Sequence, residues 1–321
     1  MSAPAGGPAE PIVITGPTAS GKGAVAFELA RRLGGEIVSM DSMKVYRELD
    51  VATAKPPAEC RSDVRYHLID ILDPGADFST GEYLPLLVRT IEEITSRSRP
   101  VIIAGGTALY LKAYVDGFQS GPAADWALRG RLLEEGRALG ASVLHERLQA
   151  VDPMAAAKIH VMDLRRIVRA LEVLETTGRP ISAAWGWSRP AGPKRPWIFG
   201  LEWTRDALHA RIDRRVERMV ERGLFEEALR LQTREPPPSR SAAQAIGYKE
   251  IWEAAEGERR EDIILSIQRR TRRFAKSQLT WFRKLPVAWL PQSGMPEPGA
   301  AAEEILRRLR EAGRSQDRLL E

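Results

Sequence analysis

Cysteine is almost missing from this sequence of 321 residues, in which Cys60 is the only one. A single thiol cannot form an intramolecular disulfide, and it cannot supply a zinc site built from several thiolates. No apolar run reaches the roughly 18 residues that a membrane-spanning helix needs. Residues 1–10 contain neither a basic nor an apolar segment of the secretory type. The sequence therefore predicts a soluble, cytoplasmic protein without a membrane partner and with a disordered leader at 1–10.

Neither sign of charge dominates, because 48 Lys and Arg residues face 43 Asp and Glu residues, for a net charge of +5. A polyanionic partner must therefore be inferred from where the charges lie. Acidic residues are absent from 263–284, a stretch that also contains Phe274, Trp281 and Phe282. Its cations are Arg269, Arg270, Arg272, Arg273, Lys276, Arg283 and Lys284. If Ile263, Ile267, Phe274 and Phe282 face the core, much of this cationic side faces outward and predicts a contact surface for a phosphate backbone.

Short apolar runs alternate with amphipathic stretches in the first third of the chain. Strands are predicted at 11–15, 36–40, 66–72 and 100–104, and helices at 24–33 and 81–97. Apolar strands separated by helices are typical of a parallel sheet that is covered on both faces. The sequence therefore predicts the α/β class.

The pattern changes after the fourth predicted strand. No strand is predicted from 125 to 178, and the apolar residues of 164–174 follow a helical period, with Asp163 as its cap and Gly178 as its stop. A strand follows at 197–203, and helices are predicted from 205 to about 284. We therefore predict a core at 11–121 and 196–291, an inserted all-helical domain at 122–195, and a peripheral C-terminal tail at 292–321.

A glycine-rich loop follows the first predicted strand and opens a helix. It contains Gly16, Pro17, Thr18, Ala19, Ser20, Gly21, Lys22 and Gly23. This fits the G-x-x-x-x-G-K pattern, in which backbone N–H groups, a helix N-terminus and a lysine surround phosphate oxygens. The loop predicts binding of a phosphate or diphosphate, and a coincidental glycine-rich turn is the structural alternative.

The loop lacks the Ser or Thr that usually follows its lysine, since Gly23 stands there. That hydroxyl normally binds the Mg²⁺ of a nucleotide. No carboxylate follows the strand predicted at 100–104 either, where many ATPases hold their metal. Both absences argue against a small-molecule or nucleotide kinase, which is nevertheless one alternative function for such a loop.

Several further segments follow in a fixed order behind the loop. They are residues 41–46 (DSMKVY), 53–56 (TAKP), 67–70 (HLID), 105–111 (GGTALYL), 152–153 (DP), 166–173 (RIVRALEV), 177–178 (TG), 247–250 (GYKE) and 271–283 (TRRFAKSQLTWFR). This ordered set resembles the tRNA dimethylallyltransferases (tRNA isopentenyltransferases) across residues 11 to 291. The resemblance implies a P-loop NTPase-like core with a parallel sheet and a helical insertion that contacts tRNA.

The same resemblance implies an activity and its partners. The activity is transfer of a dimethylallyl group from dimethylallyl diphosphate to N6 of adenosine 37, beside the anticodon, in tRNAs that read codons beginning with U. Mg²⁺ is the implied cofactor, its ligands in this chain being unknown, the anticodon stem-loop is the implied partner, and a monomer is the expected state. A tRNA-binding paralogue with weakened catalysis is the second alternative function.

Individual roles follow from the matching positions. Asp41, after the second strand, is the candidate general base, although a helix cap or a metal-bound carboxylate would also suit it. The resemblance makes Thr107 a contact to the oxygen that leaves with the diphosphate, and Lys22 a catalytic cation. Diphosphate contacts are assigned to the loop residues 16–23 and to Arg215, or to its neighbour Arg211. tRNA contacts are assigned to Asp41, Ser42, Met43, Lys44, Thr107, Arg129, Arg165, Arg166, Arg169, Arg272, Arg273 and Lys276.

The chain departs from the family pattern at three positions near this site. Gly23 lacks the loop hydroxyl, Lys44 replaces a glutamine thought to read the adenine, and Met162 replaces an asparagine. A lysine donates hydrogen bonds but cannot accept them, so the reading of adenine at Lys44 is open. Altered specificity or weakened activity is the expectation that these changes raise.

Overall fold

The computed structural model describes residues 10–118, 121–184, 196–294 and 297–317. The backbone divides into two compact units, one formed by residues 1–115 and 192–321 and the other by residues 116–191. Within the described ranges, no helix is both long enough and apolar enough to cross a membrane. Residues 1–9 of the predicted leader lie outside the described residues.

The larger unit contains a sheet of six parallel strands in the order β3-β2-β4-β1-β5-β6. The strands are β1 (Ile12–Thr15), β2 (Glu36–Met40), β3 (Tyr66–His67), β4 (Val101–Gly105), β5 (Trp197–Glu202) and β6 (Ala288–Pro291). Every residue of β1 and β2 is buried, as expected when helices cover both faces of a sheet. The predicted α/β core with a parallel sheet is confirmed.

The rest of the described chain contains α-helices joined by turns, loops and short 3-10 helices. The α-helices are α1 (Lys22–Leu33), α2 (Ala58–Asp63), α3 (Thr80–Ser96), α4 (Ala108–Asp116), α5 (Trp126–Leu139), α6 (Ala141–Val151), α7 (Pro153–Ala156), α8 (Leu164–Thr177), α9 (Arg205–Glu221), α10 (Leu224–Gln232), α11 (Tyr248–Trp252), α12 (Arg260–Phe282) and α13 (Pro298–Asp317). As the sequence predicted, the described part of 125–178 contains helices and turns and no strand.

The C-terminal segment is not peripheral, contrary to the prediction. Helix α13 packs on α1, and Ala301, Ala302 and Ile305 belong to the same apolar cluster as Ile14 and Leu29. Ile305 is fully buried, so the last helix covers one face of the sheet next to the phosphate loop helix.

One predicted strand is shorter in the structure, and one observed strand was not predicted. The run predicted at 66–72 is a strand only at Tyr66–His67, because Leu68 and Asp70 take positive φ angles of 57° and 58°, which end the extended backbone. Strand β6 was missed altogether. Its four residues pair with β5 at the sheet edge and end at a proline, so the run is too short to carry an alternating pattern.

The smaller unit is a helical bundle. Its core is formed by α5, α6, α7 and α8, including Leu132, Leu144 and Ile167. Helix α8 begins where predicted, because the Asp163 carboxylate accepts a hydrogen bond from the Arg166 N–H. It ends at Gly178, whose φ of 68° is the left-handed conformation that favours glycine.

Candidate functional site

Three loops leave the carboxyl ends of three neighbouring strands. The phosphate loop follows β1, Asp41 follows β2, and Gly106 and Thr107 follow β4, which lies between the other two. The strand ends approach each other closely, since a Cβ on Gly105, the last residue of β4, would lie 1.9 Å from the carbonyl oxygen of Met40, the last residue of β2. In open parallel sheets, ligands bind at this edge. The topology therefore brings the predicted catalytic residues of the core to one place.

The phosphate loop has the backbone that its glycines predict. Gly16 and Gly21 have φ angles of 141° and 95°, and Ala19 reaches 63°. A Cβ on Gly16 would lie 3.0 Å from the Ser20 hydroxyl and 3.2 Å from the Leu201 carbonyl oxygen. The loop then enters α1 at Lys22, so the N-terminal N–H groups of that helix border the site.

Side chains from α9 and from the residue that follows β5 contact the outside of the loop. The Trp203 indole donates a hydrogen bond of 2.9 Å to the Ser20 carbonyl, and Arg211 donates one of 2.8 Å to the Ala19 carbonyl. The Arg211 guanidinium also lies 4.2 Å above the Trp203 ring. Arg211 is thus engaged with the loop backbone, whereas Arg215, one helical turn later, lines the cavity.

Asp41 and Thr107 are fixed by backbone hydrogen bonds. Oδ1 of Asp41 accepts from the N–H of Met43 at 2.9 Å and more weakly from that of Lys44 at 3.4 Å. The Thr107 hydroxyl accepts from the Ser42 N–H at 3.0 Å and donates to the Ser42 Oγ at 3.4 Å. Asp41 is therefore a local cap as well as a cavity residue, and its second oxygen has no hydrogen bond among the described residues.

A cavity of about 1390 Å³ opens between these loops and helices α9 and α12. Among the described residues that line it, nine are basic and only Asp41 is acidic. The basic residues are Lys22, Lys44, Lys55, Arg215, Arg218, Arg222, Arg269, Arg270 and Arg273. Such a cavity attracts polyanions, and it holds a single carboxylate that can accept a proton.

Burial and, to a smaller extent, neighbouring charges shift the titration of the cavity lysines. Burial, together with the Arg215 charge, lowers the pKa of Lys22 to about 7, although Asp41 opposes this shift. Burial also lowers the pKa of Lys44, again against the pull of Asp41. A diphosphate would add negative charge beside these ammonium groups and so favour their protonated form, which makes the cavity electrostatically suited to a diphosphate.

One cavity residue was not singled out from the sequence. The Gln278 side chain accepts a hydrogen bond from the Thr18 N–H at 2.8 Å and donates one of 2.7 Å to the Gly106 carbonyl. The sequence did not indicate a role for Gln278, because its hydrogen-bond partners lie 260 and 172 residues away in the sequence.

Helix α12 supplies the cationic wall of the cavity. Arg273 is exposed and lines the cavity, whereas Arg272 pairs with Asp213 at 2.6 Å and Lys276 is exposed elsewhere on the helix. The prediction that Phe274 faces the core is wrong, since 45% of this residue is exposed and it lines the cavity beside Arg273.

The smaller unit holds the remaining predicted cations. Arg165 and Arg166 are exposed, as is Met162. Arg129 and Arg169 instead pair with the buried carboxylate of Glu172, at 2.7 and 2.8 Å. Those ion pairs lower the pKa of Glu172 against the burial that would raise it.

We expect Glu172→Gln to destabilise the helical unit by about 2 to 3 kcal/mol, because hydrogen bonds to a buried charged group are lost. Gln keeps an oxygen for the Asp125 N–H, which donates at 2.7 Å, but leaves the two guanidinium groups without a counter-charge. Urea denaturation followed by circular dichroism measures the change. Glu175→Gln, on the same helix but more exposed, is the control, and equal stability of the two variants would contradict the prediction.

No group of three or more His, Cys, Asp or Glu side chains suited to a metal ion occurs in the described part of the chain. The cavity does contain a buried hydroxyl, Ser39 Oγ, that has no hydrogen-bond partner within the described ranges. The Ser20 hydroxyl in the phosphate loop is also buried without a hydrogen-bond partner among the described residues.

Residues 44–285 match the family model described as IPP transferase. A tRNA dimethylallyltransferase of Carboxydothermus hydrogenoformans is 43% identical over 299 residues, which cover 92% of this chain and 96% of that protein. The tRNA dimethylallyltransferase of Symbiobacterium thermophilum is 44% identical over 307 residues, covering 94% and 95%.

Solved structures agree with these relatives. The full-length tRNA isopentenylpyrophosphate transferase of Bacillus halodurans is 38% identical, covers 96% of this chain and 99% of its own, and superposes with a TM-score of 0.68. A eukaryotic dimethylallyltransferase acting on tRNA is 26% identical, with a TM-score of 0.73 and coverage of 88% and 74%.

Proposed function

This chain belongs to the tRNA dimethylallyltransferase (IPP transferase) family, and on that premise we propose how it performs the transfer. The donor is dimethylallyl diphosphate, and the acceptor is N6 of adenosine 37 in the anticodon stem-loop of tRNAs that read codons beginning with U. The observation that carries the proposal is the cavity at the carboxyl edge of the sheet, where a phosphate loop and nine cations surround one carboxylate. A diphosphate needs the cations, and an amine that becomes alkylated needs the carboxylate.

The reaction exchanges one bond for another at the allylic carbon. A lone pair on N6 forms the new C–N bond, while the bond between that carbon and the diphosphate oxygen breaks and its electrons leave with the diphosphate. The surplus proton on N6 passes to Asp41, whose carboxylate is held in place by the Met43 N–H. A positioned base of this kind contributes about 10² to 10⁴ in rate.

Negative charge develops on the departing diphosphate. Lys22 borders the loop, with its ammonium 3.3 Å from the Pro17 carbonyl, and Arg215 lines the same cavity. Thr107 is proposed to turn its hydroxyl hydrogen from Ser42 to the bridging oxygen of the donor. Donors that are already in place when charge develops stabilise the transition state more than the ground state.

Mg²⁺ fits this arrangement as a cofactor carried largely by the donor. Mg²⁺ is usually held by few protein oxygens together with substrate phosphates and waters. Ser39, buried and without a described partner, is the side chain that we propose to contact the hydrated ion. The ion would neutralise charge on the leaving diphosphate, and Gly23 leaves that hydroxyl role to another residue.

The tRNA is proposed to bind through exposed cations on both units. Arg273 and Lys276 lie on α12, and Arg165 and Arg166 lie on α8. Arg129, Arg169 and Arg272 are already paired with carboxylates, so their contribution to tRNA would require sharing those partners. A cytoplasmic monomer is part of the proposal, since the reaction as drawn uses residues of one chain and a cytoplasmic substrate.

The experiment that tests this function uses the purified protein with dimethylallyl diphosphate, Mg²⁺ and unmodified tRNA that carries adenosine 37. The tRNA is digested, and its nucleosides are analysed by mass spectrometry. Prenylated adenosine mapped to position 37 is the expected product. A tRNA with guanosine 37 is the matched control, and the absence of product from both tRNAs would overturn the proposal.

Arg273→Ala is expected to weaken tRNA binding roughly five- to tenfold and to reduce the salt dependence of binding by about one ionic contact. Arg273 is an exposed cation of the cavity wall, so its removal should affect all tRNA sequences alike. Filter binding at several salt concentrations measures both effects. Arg283→Ala, at the position directly after the same helix and outside the cavity lining, is the control. Equal losses of tRNA affinity in the two variants would contradict the prediction that Arg273 acts through its place on the cavity wall.

A further inference from the structure

Gln278 forms hydrogen bonds to two loops whose relative position matters for the proposed reaction. It lies on α12, is only 5% exposed, and uses both ends of its amide. The oxygen accepts from the Thr18 N–H in the phosphate loop, and the nitrogen donates to the Gly106 carbonyl in the loop after β4. The two contacts, at 2.8 and 2.7 Å, are as short as good hydrogen bonds between neutral groups become.

The two loops carry different parts of the proposed chemistry. The phosphate loop holds the diphosphate, whereas Gly106 directly precedes Thr107, whose hydroxyl is proposed to meet the bridging oxygen. Backbone contacts of the β-sheet set the strands but end at Thr15 and Gly105. Beyond those residues, the Gln278 amide is a direct hydrogen-bonded link between the loops.

The surroundings of Gly106 support the same interpretation. A Cβ at this position would lie 2.6 Å from the Gln278 nitrogen and 3.3 Å from Cε of Lys22. Gly106 thus lets the amide and the lysine reach the same point of the backbone. A larger residue would have to displace both groups, so the link and the catalytic lysine depend on one glycine.

We propose that Gln278 is a positioning residue that fixes the diphosphate loop relative to Thr107 through its two-ended amide. This proposal rests on the function proposed above, but its first consequence does not require transfer to tRNA. The Thr18 N–H is committed to Gln278, so the amide sets the loop conformation in which the other N–H groups face the phosphates. Loss of the amide should therefore weaken binding of the diphosphate itself and slow the chemical step further.

The first test measures the affinity for inorganic pyrophosphate with Mg²⁺ by calorimetry, without tRNA. Gln278→Met keeps the length and volume of the side chain but neither hydrogen bond, and Gln278→Asn keeps the amide but is too short to reach both loops. Both variants are expected to bind pyrophosphate about tenfold more weakly, the effect of losing one or two buried hydrogen bonds. Gly106→Ala would displace both the Gln278 amide and Lys22, so its loss of affinity should exceed that of the Gln278 variants. Thermal unfolding of each variant confirms that the fold is intact.

The second test separates positioning from direct contact with the acceptor. In steady-state transfer, the Met and Asn variants should lose about another tenfold in kcat, with the KM for tRNA unchanged, because a misplaced donor reacts more slowly. If folded variants bind pyrophosphate as the parent does, the proposal is overturned. A raised KM for tRNA with unchanged pyrophosphate affinity would likewise overturn it and make Gln278 a reader of the acceptor. Failure of the parent protein to prenylate tRNA would count against the proposed function alone.

Discussion

Asp41→Asn is expected to lower kcat by about 10² to 10⁴, because the amide cannot take the proton that N6 must lose. Asparagine is nearly the same size as aspartate, and its oxygen can still accept the hydrogen bond from the Met43 N–H. The loop after β2 should therefore keep its shape. Single-turnover transfer to tRNA, with saturating dimethylallyl diphosphate, measures the chemical step directly.

Binding measurements determine how this loss is interpreted. Asp41 is the one described acidic residue in a cavity with nine cations, so its neutralisation should not weaken binding of pyrophosphate. Asp206→Asn is the matched control, since Asp206 is exposed in the first turn of α9 and does not line the cavity. If Asp41→Asn turns over within a few-fold of the parent, the proton goes elsewhere and Asp41 serves only as the cap of its loop.

Local patterns predicted the parts of the site that are continuous in sequence. The phosphate loop could be predicted because its strand, glycines, lysine and helix follow one another within about a dozen residues. In such loops the backbone N–H groups supply most of the contacts to phosphate. The place of Asp41 could be predicted because the carboxyl end of a buried parallel strand lies at the edge of the sheet where ligands bind. Neither inference needs knowledge of a distant residue.

Features that depend on partners far away in the sequence could not be predicted from the sequence. Gln278 has an ordinary place in a helix until Thr18 and Gly106 arrive from other elements. Arg272 looks like a free cation beside Arg273, yet Asp213 on α9 neutralises it. A charge run in sequence therefore overstates the number of cations available to an anionic partner.

Phe274 shows a limit of helical periodicity. It lies seven residues after the buried Ile267, two turns along almost the same face of α12, and was therefore assigned to the core. At that height of the helix, however, Ala275 is the residue that packs, in an apolar cluster with Ile212, whereas Phe274 beside it lines the cavity. Periodicity identifies the face that turns inward, but it does not distinguish a packed core from the wall of a binding site.

Lys22→Met is expected to lower kcat/KM for dimethylallyl diphosphate by about 10² to 10³, as loss of a preorganised charged donor does. Lys22→Arg keeps a permanent charge and should recover part of this loss, although the planar guanidinium fits the loop less well. Both kinetic constants are measured with tRNA saturating. Lys284→Met, which changes an exposed lysine two residues after α12, is the control.

The pH dependence carries the more specific signature. Burial and Arg215 lower the pKa of Lys22 to about 7, so the free enzyme loses this proton as the pH rises through neutrality. A bound diphosphate favours the protonated lysine, so its affinity should be greatest below about pH 7 and fall towards about pH 9. Lys22→Arg removes the titration of Lys22 and should make the profile shallower. Calorimetry with pyrophosphate across this range measures the slope, and a flat profile for the parent protein would mean that Lys22 stays charged without its ligand.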